Sequence, residues 1–152
     1  MAQKFVYEKV RNTKKKKKTW MVPMISRNML IALQDREKFL KNALTPMSFF
    51  GVKTAMLYVF RNPVEYNIEK GWEFPNTIYL VARQDGKRVE VFEEYKNEVS
   101  LEKCGFSEEG SARYQHQPSV FCLQSGSTQY GVLSVDITPE EVDMVYLISI
   151  QM

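Results

Sequence analysis

The chain has 152 residues, 44% of them hydrophobic and 26% charged, which is the size and balance of one globular domain and excludes disorder along its whole length. No apolar window approaches the ~18 residues of a membrane span, and no apolar run follows the first basic residues as a secretory signal requires, so a cytoplasmic location is expected. The net charge of +3 is uneven: eight of 21 bases and one of 18 acids fall in residues 1–18, leaving +7 on the tail and −4 on the rest.

Residues 1–18 read as a basic tail or linker. The five lysines Lys14 to Lys18 repel one another and favour a solvated segment. Contact with nucleic acid is the competing reading, and the acidic body argues against it, because a nucleic-acid-binding domain spreads positive charge over its own face. Residues 19–34 form an N-terminal helical segment, with Trp20, Met21, Val22, Met24 and Ile25 around Pro23 and Ser26 as a cap. A helical pattern then runs over 27–44 through Met29, Leu33, Leu40 and Leu44. Asp35 offers an alternative start for a separate helix. Pro46 interrupts it and Gly51 stops it.

Residues 53–61 read as a strand with both faces apolar, central in a sheet and broken by Asn62-Pro63. Residues 67–76 read as a loop pinned by aromatics. Segments 78–84 and 88–92 flank Asp85-Gly86-Lys87, a hairpin signal. Residues 93–118 are polar and irregular, with a short helix placed at 99–106. A second hairpin joins 119–123 to 130–137 across residues 124–129, with Leu133, Val135 and Ile137 on the drier face. Thr138-Pro139-Glu140-Glu141 is a capping box for a helix over 142–152. That helix is apolar nearly all round, as suits a connecting or partner helix.

Chemistry-bearing motifs are scarce. His116 reads as an exposed loop histidine, without partners at metal-ligand spacing. Cys104 and Cys122 are too few for a disulfide framework or a zinc site. Gly126-Ser127 is a turn rather than a nucleophile elbow, and the glycines build no phosphate loop. The pairs Glu93-Glu94, Glu108-Glu109 and Glu140-Glu141 point apart and make no acid–base dyad. The expectation is a non-enzyme without a cofactor or metal. Tyr58, Phe60, Tyr66, Trp72, Phe74 and Tyr79 crowd one stretch. They serve either as core or as a stacking wall, with Trp72 the best anchor.

The element order resembles a GAF domain. The resemblance rests on the first helix over 39–51, the strand Ala55-Met56-Leu57-Tyr58-Val59-Phe60 and the hairpin around Asp85-Gly86. Its most characteristic phrase is Tyr130-Gly131-Val132-Leu133 before the closing helix. It covers about residues 35–152. The phrases over 20–27 and 71–75 are similar to the GAF-like region that precedes GGDEF-type diguanylate cyclase domains in bacterial signalling proteins. No GGDEF motif is present, so no cyclase activity carries over. The resemblance implies an α+β, PAS-related fold, an antiparallel sheet of five to six strands with N- and C-terminal helices packed on one face.

It also implies a sensory or regulatory module that binds a small molecule, dimerises, or both, to control a neighbouring output domain. A purely structural dimerisation spacer is the alternative. The expected pocket wall is Tyr58, Trp72, Arg83, Phe92, Tyr114 and Phe121, with Arg83 its anion-pairing group. A parallel homodimer is expected through Trp20, Met29, Leu33, Met144, Leu147 and Ile148, because one sheet buries only one side of the last helix.

Overall fold

The computed structural model describes residues 24, 27, 28, 32, 34–104, 118–138 and 142–149. Helix α1 (Arg36–Leu44) starts at Asp35, whose side chain accepts the Lys38 N–H at 3.0 Å. The alternative start at Asp35 is therefore the one the chain uses. Proline at the next turn tightens the chain into a 3₁₀ helix (Thr45–Phe50), and Gly51 closes it at φ 93°, a conformation that costs glycine nothing.

Six strands follow: β1 (Thr54–Glu65), β2 (Thr77–Asp85), β3 (Arg88–Val91), β4 (Glu98–Ser100), β5 (Ser119–Ser125) and β6 (Thr128–Val135), then α2 (Val142–Ser149). They build one antiparallel sheet in the order β3-β2-β1-β6-β5, with β4 also paired to β2. β3 and β4 divide the same edge of β2, pairing with residues 82–85 and 77–79 respectively. The fold is α+β, and β1 is the central strand that its two apolar faces predict.

Three local expectations are corrected. Asn62-Pro63 does not end β1. The strand absorbs Pro63 in a wide bulge, with Val59 opposite Gly131 and the next pair Val64 with Gln129, so residues 60–63 face Tyr130 alone. Residue 99 begins no helix: Val99 pairs with Ile78 in β4, and only the 3₁₀ turn Leu101–Lys103 follows. The second hairpin is tighter than six residues. Ser125 pairs with Thr128 around Gly126-Ser127, and Gly126 has φ 60°. The capping box at 138–141 lies mostly outside the described residues.

The sheet has two unlike faces. On one, Ala55, Leu57, Leu133 and Val135 meet Leu44, Met47, Phe50 and Val145, so α1, the 3₁₀ helix and α2 share a single core. On the other, Met56, Tyr58, Phe60, Ile78 and Val132 meet Cys104, Val99, Leu101 and Trp72. A bulge in β2 helps both. Leu57 pairs with Ala82 and Tyr58 with Leu80, so Val81 is the extra residue, and Val81 and Ala82 both join the helix-side core.

Gly131 explains the Tyr-Gly-Val-Leu phrase. A Cβ there would lie 2.1 Å from the Tyr58 carbonyl oxygen and 2.9 Å from the Val59 Cα. Only glycine lets β6 approach β1 this closely, at the point where the β1 bulge begins.

Candidate functional site

Strand register places the site. Residues opposite one another in neighbouring strands share a face, so Arg83, Met56, Ser134 and Val120 form one row across β2, β1, β6 and β5. Leu80, Tyr58, Val132 and Cys122 form another. Both rows lie on the face away from the helices. With strands about 4.8 Å apart, the Arg83 and Ser134 backbones are separated by roughly 10 Å, with Met56 between them.

The row, which Glu90 of β3 continues beside Arg83, is polar at Glu90, Arg83 and Ser134. Arg83 Nη2 donates to Glu90 Oε2, and Glu90 also pairs with Arg88 at 2.9 Å. The Arg83 guanidinium sits 5.8 Å from the Phe92 ring centroid, a cation–π contact that holds its plane. Its Nε is buried without a hydrogen-bond partner. Ser134 is 0% exposed, and its Oγ also has no partner. Between them the Tyr58 hydroxyl donates to Met56 Sδ at 3.1 Å, a weak acceptor. A buried polar group left unpaired costs about 1–3 kcal/mol, so two on one row are a departure that calls for a reason.

Burial alone pushes the Cys104 thiol, also on this face, up to about 11. Cys122 is exposed on β5. Across β1, Tyr66, Trp72, Phe74 and Phe60 make a chain of rings. Trp72 and Phe74 stack at 6.0 Å and 7°, and Tyr66 meets Trp72 edge-on at 5.3 Å. Asn67 sets up this loop, its side-chain oxygen accepting the N–H groups of Glu69 and Lys70 at 2.8 and 3.1 Å.

Of the six pocket residues expected from sequence, Tyr58, Trp72, Arg83 and Phe92 lie on this face. Phe121 does not: it pairs with Leu133 and packs into the helix-side core. Tyr114 lies outside the described residues, as does His116. So do Trp20, Met29 and Leu33 and the side chains of Met144, Leu147 and Ile148, the expected dimer contacts. Sequence reasoning passed over Ser134 and Glu90. It put Ser134 on the wetter side of its strand, whereas β6 is covered on both faces over 131–135. The available signal was a small hydroxyl inside a strand of valine and leucine that pairs with an equally apolar β1.

Among the described residues no group of three or more His, Cys, Asp or Glu could hold a metal ion, and no helix is long and apolar enough to cross a membrane. No protein-family model matches the chain, and no curated protein matches its sequence.

Proposed function

We propose that this chain is a non-catalytic, GAF-like sensory module of bacterial signal transduction, which takes a small polar ligand on the sheet face opposite the helices. The observation that carries the reading is the row of Arg83 and Ser134, whose Nε and Oγ are buried and unpaired on one face of the sheet. A flat ligand with acceptor groups would satisfy both once the side chains that cover this face part, with Phe92 beside Arg83 as its stacking surface. β1 and β6 lie directly over the core formed by α1 and α2, so a ligand that shifts either strand acts on the helices behind it. Through them occupancy would reach a dimer partner or an adjoining output domain, of which a diguanylate cyclase is the candidate the resemblance suggests.

The test is a thermal-shift screen of nucleotides and heterocycles on the full chain. A ligand at ~100 times its dissociation constant adds about 2.7 kcal/mol of stability. The expected result is a stabilising compound whose effect falls at least tenfold in affinity in Arg83→Gln and in Ser134→Val. A screen without stabilisation, or a hit indifferent to both substitutions, overturns the reading. Light scattering should also find twice the 17.8 kDa chain mass at micromolar concentration. A single-chain mass at every concentration removes the homodimer from it.

A further inference from the structure

The wide bulge in β1 creates a second concavity that shares no residue with the Arg83–Ser134 row. It is a cleft of about 490 Å³ whose lining includes Arg61, Glu65, Glu73, Phe74, Thr77 and Tyr79, within the size range of small-molecule sites. Bulges re-aim side chains, and this one carries Arg61. Its guanidinium lies 5.2 Å from the Tyr79 ring centroid and 5.7 Å from that of Tyr95, and the two rings meet edge to face at 5.2 Å. Ring faces hold the cation in place but leave its in-plane N–H donors unused. Among the described residues Arg61 has no carboxylate at ion-pair distance.

The two carboxylates of the cleft are occupied elsewhere. Glu65 accepts the Thr128 hydroxyl at 2.6 Å, and Glu73 pairs with Lys70 at 3.7 Å. The wall of the cleft therefore holds one oriented, unpaired guanidinium and one exposed phenylalanine, Phe74, whose ring is backed by Trp72. We infer that this cleft binds an aromatic monocarboxylate, its carboxylate received by the Arg61 fork and its ring by Phe74. The guanidinium geometry matches a planar carboxylate with two parallel hydrogen bonds. The two neighbouring carboxylates disfavour a dianion such as a phosphate monoester.

Benzoate is the probe, titrated into the full ¹⁵N-labelled chain and followed by amide chemical shifts. Benzoate is expected to move the amides of Arg61, Thr77 and Tyr79 in a saturable way. Neutral benzamide and dianionic phenyl phosphate should each bind at least tenfold more weakly. Arg61 and Phe74 are exposed, so Arg61→Gln and Phe74→Ala should stay folded, and each should lower benzoate affinity at least tenfold. Arg83→Gln should leave it unchanged, which separates this site from the sensory row. Absence of saturable shifts at these amides overturns the inference. So does equal binding of benzamide, or unchanged benzoate affinity in a folded Arg61→Gln chain.

Discussion

The two faces of the sheet are built from the same strands and differ in what they leave unpaired, one amide acceptor on the helix side and two donors on the other. On the helix side the large side chains are apolar and fully covered, among them Leu44, Met47, Phe50 and Leu133, each 0% exposed. Among the described residues Gln84 is the large polar group there: its amide N–H groups donate to the Val52 and Gly86 carbonyl oxygens at 3.3 and 2.9 Å, while its buried Oε1 has no partner. On the opposite face, burial is just as deep at Ser134 and Tyr58, and the Ser134 Oγ has no partner. One face is organised for stability. The other leaves the Arg83 Nε and Ser134 Oγ unpaired, the two donors on which the proposed ligand site rests.

That contrast can be broken by mutation, and the largest effects belong to the helix side. Phe50→Ala removes a fully buried ring between the 3₁₀ helix and the sheet and should cost about 3–5 kcal/mol, read as a lower midpoint in urea. An effect below ~1 kcal/mol would mean that the helices are not a true lid on this face.

Gly131→Ala comes next. The new methyl would collide with the backbone of β1, which cannot rotate away, so a loss at or above the roughly 1–3 kcal/mol typical of overpacking is expected. Near-neutral stability in the same titration would show that β1 and β6 are farther apart at the bulge.

Ser134→Ala tests the other face and should go the opposite way. Deleting an unpaired buried hydroxyl should be neutral or stabilise the free protein by up to about 1 kcal/mol. A clear loss of stability would mean that the hydroxyl is paired after all, and the comparison of the faces would fail there.

The smallest effect is chemical. Cys122 is exposed and should react with a thiol reagent at pH 8 in the folded chain, whereas Cys104 should not until the chain is unfolded. Because burial raises the Cys104 pKa from 9.0 to about 11, the folded state holds that proton over a window in which the unfolded state has lost it. Its contribution to stability should therefore fall as pH rises from about 9 to about 11. A Cys104→Ala chain should lose that part of the pH dependence, and an unaltered alkaline profile would place the thiol in water.

How far the sequence could be read differs along the chain. The apolar alternation of Ala55, Leu57 and Val59 against Met56, Tyr58 and Phe60 announced a central strand, and that is where β1 sits. Asp85-Gly86 announced its hairpin for a local reason, since a turn with φ 59° at Gly86 needs that residue type wherever it occurs. Asp35 capped its helix for the same kind of reason. Arg83 and Phe92, two of the six expected wall residues, meet because Phe92 directly follows β3, which pairs with β2 in one hairpin. The interior proline was misread because Pro63 lacks a donor, which argues against a ladder unless the ladder is interrupted there. That interruption depends on β6, some seventy residues away.

Local chemistry thus determined the elements: caps, turns, the two-sided strand and the charged tail all follow from residues near one another in the chain. The tertiary structure alone decided which residues share a face. It put Phe121 behind the sheet and Ser134 in front of it, inserted Val81 as an extra residue, and turned residues 60–63 into a bulge that carries Arg61 into a cleft. The physical reason is that a strand's side chains alternate with a period of two, so a single bulge exchanges the faces of every residue beyond it in its own strand, and pairing with the neighbouring strand decides where it falls. Nothing in the strand's own sequence records where that bulge falls.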